Sequence, residues 1–270
     1  MAFEHGSTSP IPPPPMRPLT ARLTDMALWL VFLAVLAVSA SAVRLGDAPL
    51  LFTRSANMQR FIAGFMHPDT DRWVEDARDM LLTLQMALWG TVLAVVIAAP
   101  LGLLAARNVA PVYIQQPVRR LLDALRSTPD LVVGTLFVLA VGLGPLAGVL
   151  AIAVNTGGVL GKLFSESVEA MDPQPVEGVR AVGAHPLQEL VWGVAPQVAP
   201  HWTSFALYRF ESNARSAAVL GLIGAGGIGE RLFEALNGFD YGHTAMIIIV
   251  IVVAVSIIDF ASQMIRTRLI

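Results

Sequence analysis

From Leu131 to Gly161 the chain carries no charged side chain for 31 residues, and no other feature limits its fold as tightly. A helix of that length would run about 46 Å at 1.5 Å per residue, well beyond the ~30 Å hydrocarbon core of a bilayer. One span at ordinary tilt cannot use it up. Gly142-Leu143-Gly144-Pro145, in its middle, is a turn signal, so the run divides into a third and a fourth span meeting there. Met26 to Val43, Met80 to Ala106 and Tyr241 to Ile258 are uncharged runs of spanning length, and Leu190 to Phe210 begins a further span. The pattern predicts an all-α integral membrane protein with six transmembrane helices.

Composition agrees. Hydrophobic residues make up 55% of the 270 and charged residues only 14%, against roughly a quarter in soluble domains. A soluble core built from such a chain would lack the polar surface to cover it. The net charge of −2 argues against nucleic acid as a partner, and the absence of cysteine removes disulfide and thiolate chemistry.

Between the spans the character changes. Residues 1–25, with Ser7-Thr8-Ser9-Pro10-Ile11-Pro12-Pro13-Pro14-Pro15, read as a disordered, proline-rich cytoplasmic tail, and 26–270 as the membrane domain. Ala40-Ser41-Ala42 has the look of a signal-peptidase site, but the apolar run before it exceeds a signal peptide's, which favours an uncleaved anchor. Gly46 to Asp79 is a mixed-charge loop, and Gln115 to Arg126 alternates apolar and basic residues. That alternation suits an amphipathic helix at a membrane surface or the wet start of the next span. With the N-terminus inside, the inner segments hold ten basic residues, from Arg17 to Arg268. The first outer loop holds five, Arg44, Arg54, Arg60, Arg72 and Arg78. The bias favours both termini in the cytoplasm.

Several motifs exclude more than they assign. Gly224-Ala225-Gly226-Gly227-Ile228-Gly229 fits G-x-G-x-x-G, but its flanks are spans rather than a βαβ unit. Gly224, Gly226, Gly227 and Gly229 are therefore read as structural, permitting close helix approach or irregular backbone at membrane depth. Gly161-Lys162 lacks the rest of a Walker A loop, since Thr156 and Leu163 stand where Gly and Ser or Thr are needed. Any ATP and Mg²⁺ chemistry belongs to a partner. The five histidines show no metal-ligand spacing and no G-x-S-x-G elbow occurs, so neither a metal site nor catalytic residues are expected. Tyr208 to Ser216 is the most informative polar stretch, lying between apolar runs. Two readings of it stand: an interfacial patch with an internal ion pair, or the lining of a translocation route through Arg209, Glu211, Asn213, Arg215 and Ser216.

Glu177-Gly178-Val179-Arg180-Ala181-Val182-Gly183, with Gly193-Val194-Ala195-Pro196 after it, resembles the EAA loop of ABC importer permeases. That family places an acid, a glycine six positions on and a proline thirteen beyond that in a cytoplasmic coupling helix; Glu177, Gly183 and Pro196 keep the spacing, while Gly178 replaces alanine. Gln116 to Asp123, Val141 to Gly148, Pro175 to Gly178, Leu207 to Asn213 and Val219 to Gly229 are similar to phosphonate-type permeases in particular.

The resemblance, which runs from about residue 80 to the C-terminus, implies a type I importer core of five helices plus a peripheral first helix, with a coupling loop near 165–190. It implies Glu177, Gly178, Arg180, Gly183 and Ala184 as the ATPase contact. It also implies a pore made with a second copy of the chain in a bacterial cell membrane, two cytoplasmic ATP-binding subunits and an extracytoplasmic substrate-binding protein. The implied cargo is phosphonate or a related oxyanion such as phosphate or phosphite. A permease for an amino acid or metal oxyanion, or a membrane scaffold or enzyme, are the alternatives.

Overall fold

The computed structural model describes residues 19–50 and 55–269, and it is all-helical there. Its residues fall into two units, divided between Arg60 and Phe61.

In the first unit, α1 (Leu19–Ala42) carries apolar side chains all round. Its most apolar stretch has a mean hydropathy of 2.1 and buries nothing within the chain, as expected for a helix whose solvent is lipid. The helix begins at Leu19, inside the stretch read as a tail; residues 1–18 lie outside the described residues. A short turn, Leu45–Asp47, follows Arg44, whose φ is 51°. Then comes α2 (Ser55–Met66), whose last residues open the second unit.

The second unit is built on α3 (Trp73–Ala105). Its first two turns contain Glu75, Asp76 and Asp79, acids that the sequence reading assigned to a loop. Acids suit the positive end of a helix, so the helix starts earlier than the uncharged run. Next, α4 (Val112–Ser127) and α5 (Asp130–Val141) meet at a bend of 92°. Pro129 explains the bend: it drives Thr128 out of the helical region, to ψ 127°. The amphipathic segment is therefore a separate helix. With 12 residues, α5 runs about 18 Å and reaches only part of the way across the hydrocarbon, short of the full third span expected.

After Gly142 and Gly144, both at positive φ, Pro145 opens α6 (Pro145–Glu169). A short helix, α7 (Pro173–Ala181), leads through one turn at Pro186–Gln188 and a widened turn at Glu189–Val194 into α8 (Ala195–Leu220). The helical run of the fifth span is continuous from Pro186 to Ala225, so it runs further than expected and takes in the whole 209–216 cluster. A second widened turn, Gly221–Ala225, precedes α9 (Ile228–Asn237), and α10 (Tyr241–Leu269) closes the fold. Among the described residues, four helices are long and apolar enough to cross a membrane singly, and up to six spans result if each bent pair is one.

The centre of the second unit is α6, with 61% of its most apolar stretch buried, against 33% for α3 and 17% for α10. Small residues put it there. A Cβ at Gly158 would lie 2.7 Å from Leu125 Cβ, one at Gly161 2.6 Å from Leu122, and one at Gly90 2.6 Å from Ile152. Lipid tails are as apolar as leucine, so helices in a bilayer gain by close packing rather than by hiding from water. Ala87, Ala151, Ala214 and Ala217 fill the centre with Met86 and Leu220.

Candidate translocation and coupling site

At one end of the second unit, α7 forms a ledge. Asp172 caps it by accepting from the Gln174 N–H at 3.0 Å, and Pro173 supplies the preset first turn. One face is anchored: a Cβ on Gly193 would meet Val176 Cα at 3.0 Å, so helix and widened turn touch backbone to backbone. Gln197 Nε2 donates to Gly193 O at 2.7 Å and Asp172 O at 3.2 Å, tying the ledge to the first turn of α8. Val168, Val194 and Val198 form the core beneath. Gly183, at φ 80°, ends the helix in the left-handed conformation, its N–H bonded to Arg180 O at 3.0 Å.

The outer face is free. Glu177 and Gly178 are exposed, and Ala184 is half-buried. Arg180 is engaged sideways with Glu189, Nη2 to Oε2 at 2.8 Å. That hydrogen bond, and then the carboxylate's charge, push the Arg180 pKa further up and keep it cationic. Val182, Leu187 and Trp192 project beside the ledge at 85%, 66% and 71% exposure.

In the middle of the unit, the polar cluster of α8 separates into distinct environments. Asn213 is buried; its Nδ2 donates to Thr91 Oγ1 and its Oδ1 accepts from Thr156 Oγ1, both at 2.8 Å, linking α8 to α3 and α6. Ser216 donates to Asp130 Oδ2 at 2.8 Å, at the first residue of α5. Glu211 receives Arg215 at 3.4 Å and Arg266 at 3.3 Å, and Arg215 also lies 3.5 Å from Asp259. The Arg266 guanidinium sits over the Tyr208 ring, 5.9 Å from its centre. Arg209 belongs to no hydrogen bond or ion pair among the described residues, and its Nε is buried without a partner. A cleft of about 230 Å³ opens at the Ser216–Asp130 pair, lined also by Ser212 and Arg215.

The opposite end holds the glycines. Gly224 O accepts from the Gly144 N–H at 2.9 Å, joining the two glycine turns. At Gly227, φ 73°, a Cβ would collide with the Thr83 hydroxyl, which accepts the Ile228 N–H at 2.9 Å. At Gly229 a Cβ would collide with Ala218 O, so α9 folds back directly onto α8. Gly226 lies in the same turn at φ 80°. A cavity of about 560 Å³ opens here, with Asp79, Glu230, Arg231 and Glu234 on its wall. Arg231 bonds Asp79 at 2.7 Å and Glu75 at 2.8 Å, fixing α9 to α3.

Among protein families, residues 98–270 match the binding-protein-dependent transport system inner membrane component. The chain belongs to that family. It is a membrane translocation component of an importer, not an enzyme. This permease is 41% identical over 225 residues to the phosphite transport system permease protein PtxC of Stutzerimonas stutzeri, covering 83% of this chain and 82% of that protein. It is 54% identical over 121 residues to the putative cryptic phosphonate transport system permease protein PhnE2 of Escherichia coli K12, covering 45% of this chain and 99% of that one. The inward-facing MetNI methionine ABC transporter shares the fold, with a TM-score of 0.63 at 21% identity, covering 72% of this chain and 95% of that one.

Some of the permease's polar partners were not singled out from sequence. Thr91 and Thr156 stood in view as hydroxyls within uncharged runs, but their distance from Asn213 along the chain hid the pairing. Asp259 and Arg266 lie beyond the apolar run Tyr241 to Ile258, with nothing in their spacing to link them to Glu211. His243 and Asp76, buried and 3.0 Å apart, join the starts of α10 and α3 and were equally invisible.

Proposed function

We propose that this permease imports phosphonate or a related phosphorus oxyanion such as phosphite or phosphate, by alternating access powered by separate ATPase subunits. The observation that carries the reading is 41% identity across 82% of the length of a protein named for phosphite transport. Two copies form the pore, with both termini cytoplasmic. The α7 ledge, with Glu177, Gly178, Arg180, Gly183 and Ala184, docks one ATPase subunit per copy. ATP and Mg²⁺ are held by that partner. The binding protein delivers cargo at the glycine-lined end, where Gly224, Gly226, Gly227 and Gly229 let α8 and α9 turn back at close range.

The polar cluster of α8 belongs to the translocation path. An anion crossing a low-dielectric region needs donors or positive charge along its route. The ATPase pair and the loaded binding protein bias the same two-state element, so hydrolysis and cargo delivery shift one equilibrium between inward-open and outward-open forms.

The test is growth and uptake in a bacterial strain without other phosphorus importers, supplied with this permease and its ATPase and binding protein. Uptake of labelled phosphite or methylphosphonate, suppressed by the unlabelled oxyanion and indifferent to amino acids, is the expected result. Uptake of an amino acid instead would refute the cargo assignment.

A further inference from the structure

The proposed path requires an anion contact, and the cluster on α8 narrows which side chains can make it. Asn213 is held by Thr91 through one amide N–H and by Thr156 through its oxygen, in a buried site, and Ser216 has spent its proton on Asp130. Arg215 lies between Glu211 and Asp259, and Glu211 is itself an acid. Two donors remain. Arg209 makes no ion pair or hydrogen bond among the described residues, and its buried Nε has no acceptor. Asp130 acts on it through space but makes no hydrogen bond or ion pair with it, and accepts from Ser216 instead. Ser212, which lines the 230 Å³ cleft, makes no hydrogen bond among the described residues.

Positions 209, 212 and 216 are three and four residues apart, so their side chains rise along one face of α8. The face therefore presents an uncommitted guanidinium, an uncommitted hydroxyl and then the Ser216–Asp130 pair. A cation inside a membrane helix is costly unless something of opposite charge meets it, and a buried donor left unmade costs the protein stability. A guanidinium offers planar, forked donors that match a phosphorus oxyanion.

We propose that Arg209 and Ser212 form the contact for the transported oxyanion, with Arg209 giving charge and a forked donor pair and Ser212 one further hydrogen bond. This rests on the oxyanion-importer reading above.

The experiment uses the complete complex of permease, ATPase and binding protein in proteoliposomes, with methylphosphonate uptake as the readout. Arg209→Gln is expected to lower uptake about tenfold or more, the scale of a lost charged hydrogen bond. Ser212→Ala should lower it a few-fold, with both variants still co-purifying with the ATPase. The chain has no cysteine, so Arg209→Cys places a single permease thiol at the site. Uptake by that variant should recover with an aminoethyl methanethiosulfonate, which restores a positive charge, and stay low with the sulfonatoethyl reagent. Arg209→Lys should retain partial uptake and covers the case in which the neutral variants fail to fold.

Wild-type uptake by Arg209→Gln overturns the proposal, as does a thiol at 209 that neither reagent modifies. Dissociation of Arg209→Gln into single copies overturns it too, since the counter-charge would then come from the second copy. If the wild-type complex itself takes up no phosphorus oxyanion, the importer reading has failed instead.

Discussion

Asn213 donates to Thr91 and accepts from Thr156 in a buried site, so its loss strands the Thr156 hydroxyl between helices. Leaving such a donor unmade costs about 1–3 kcal/mol. Asn213→Leu should accordingly lower the thermal midpoint of the purified permease in detergent, and an unchanged midpoint would show that the network contributes nothing. Gly227 offers a second case. A methyl there meets the Thr83 hydroxyl and must adopt φ 73°, so Gly227→Ala should cost at least the ~1–3 kcal/mol of core overpacking. A lower yield of folded protein on size exclusion checks it. At this scale the sequence marked Asn213 and Gly227 as unusual, because a polar group in an apolar run and a dense glycine cluster stand out. It could not supply their neighbours, since Thr91 and Asn213 are 122 positions apart.

Among the elements, the ledge α7 is the most self-contained: its cap, its Val176–Gly193 contact and its Gly183 terminus hold it whether or not a partner is present. Glu177 contributes to none of these and stands exposed. Reversing its charge should leave the fold intact while weakening association with the ATPase. Glu177→Lys is therefore expected to elute as folded permease but recover several-fold less ATPase in co-purification; undiminished recovery would place the contact elsewhere. Helix boundaries were only partly legible. The turn at 142–145 announced itself through Gly and Pro, whereas the 92° bend at Thr128-Pro129 was passed over because the apolar run begins just beyond it. The start of α3 was hidden in the same way, since acids at a helix N-terminus look like loop composition until the helix is seen.

For the whole molecule, apolar patterning sufficed to give the class, because a chain this short of charge has few solvents available to it. Direction across the membrane rests on the distribution of arginines, a weaker constraint. Reporter fusions should find both termini cytoplasmic and the loop after α1 outside; a cytoplasmic reporter in that loop would invert the proposed roles of the α7 and glycine ends. The central claim, that cargo is a phosphorus oxyanion handed over by a binding protein, is tested most directly by ATP hydrolysis of the reconstituted permease–ATPase complex. Binding protein loaded in turn with phosphonate, phosphite, phosphate or an amino acid would be added. Stimulation by a phosphorus oxyanion and not by the amino acid is the predicted result. Stimulation by the amino acid, or by none of them in a complex that assembles, would contradict it.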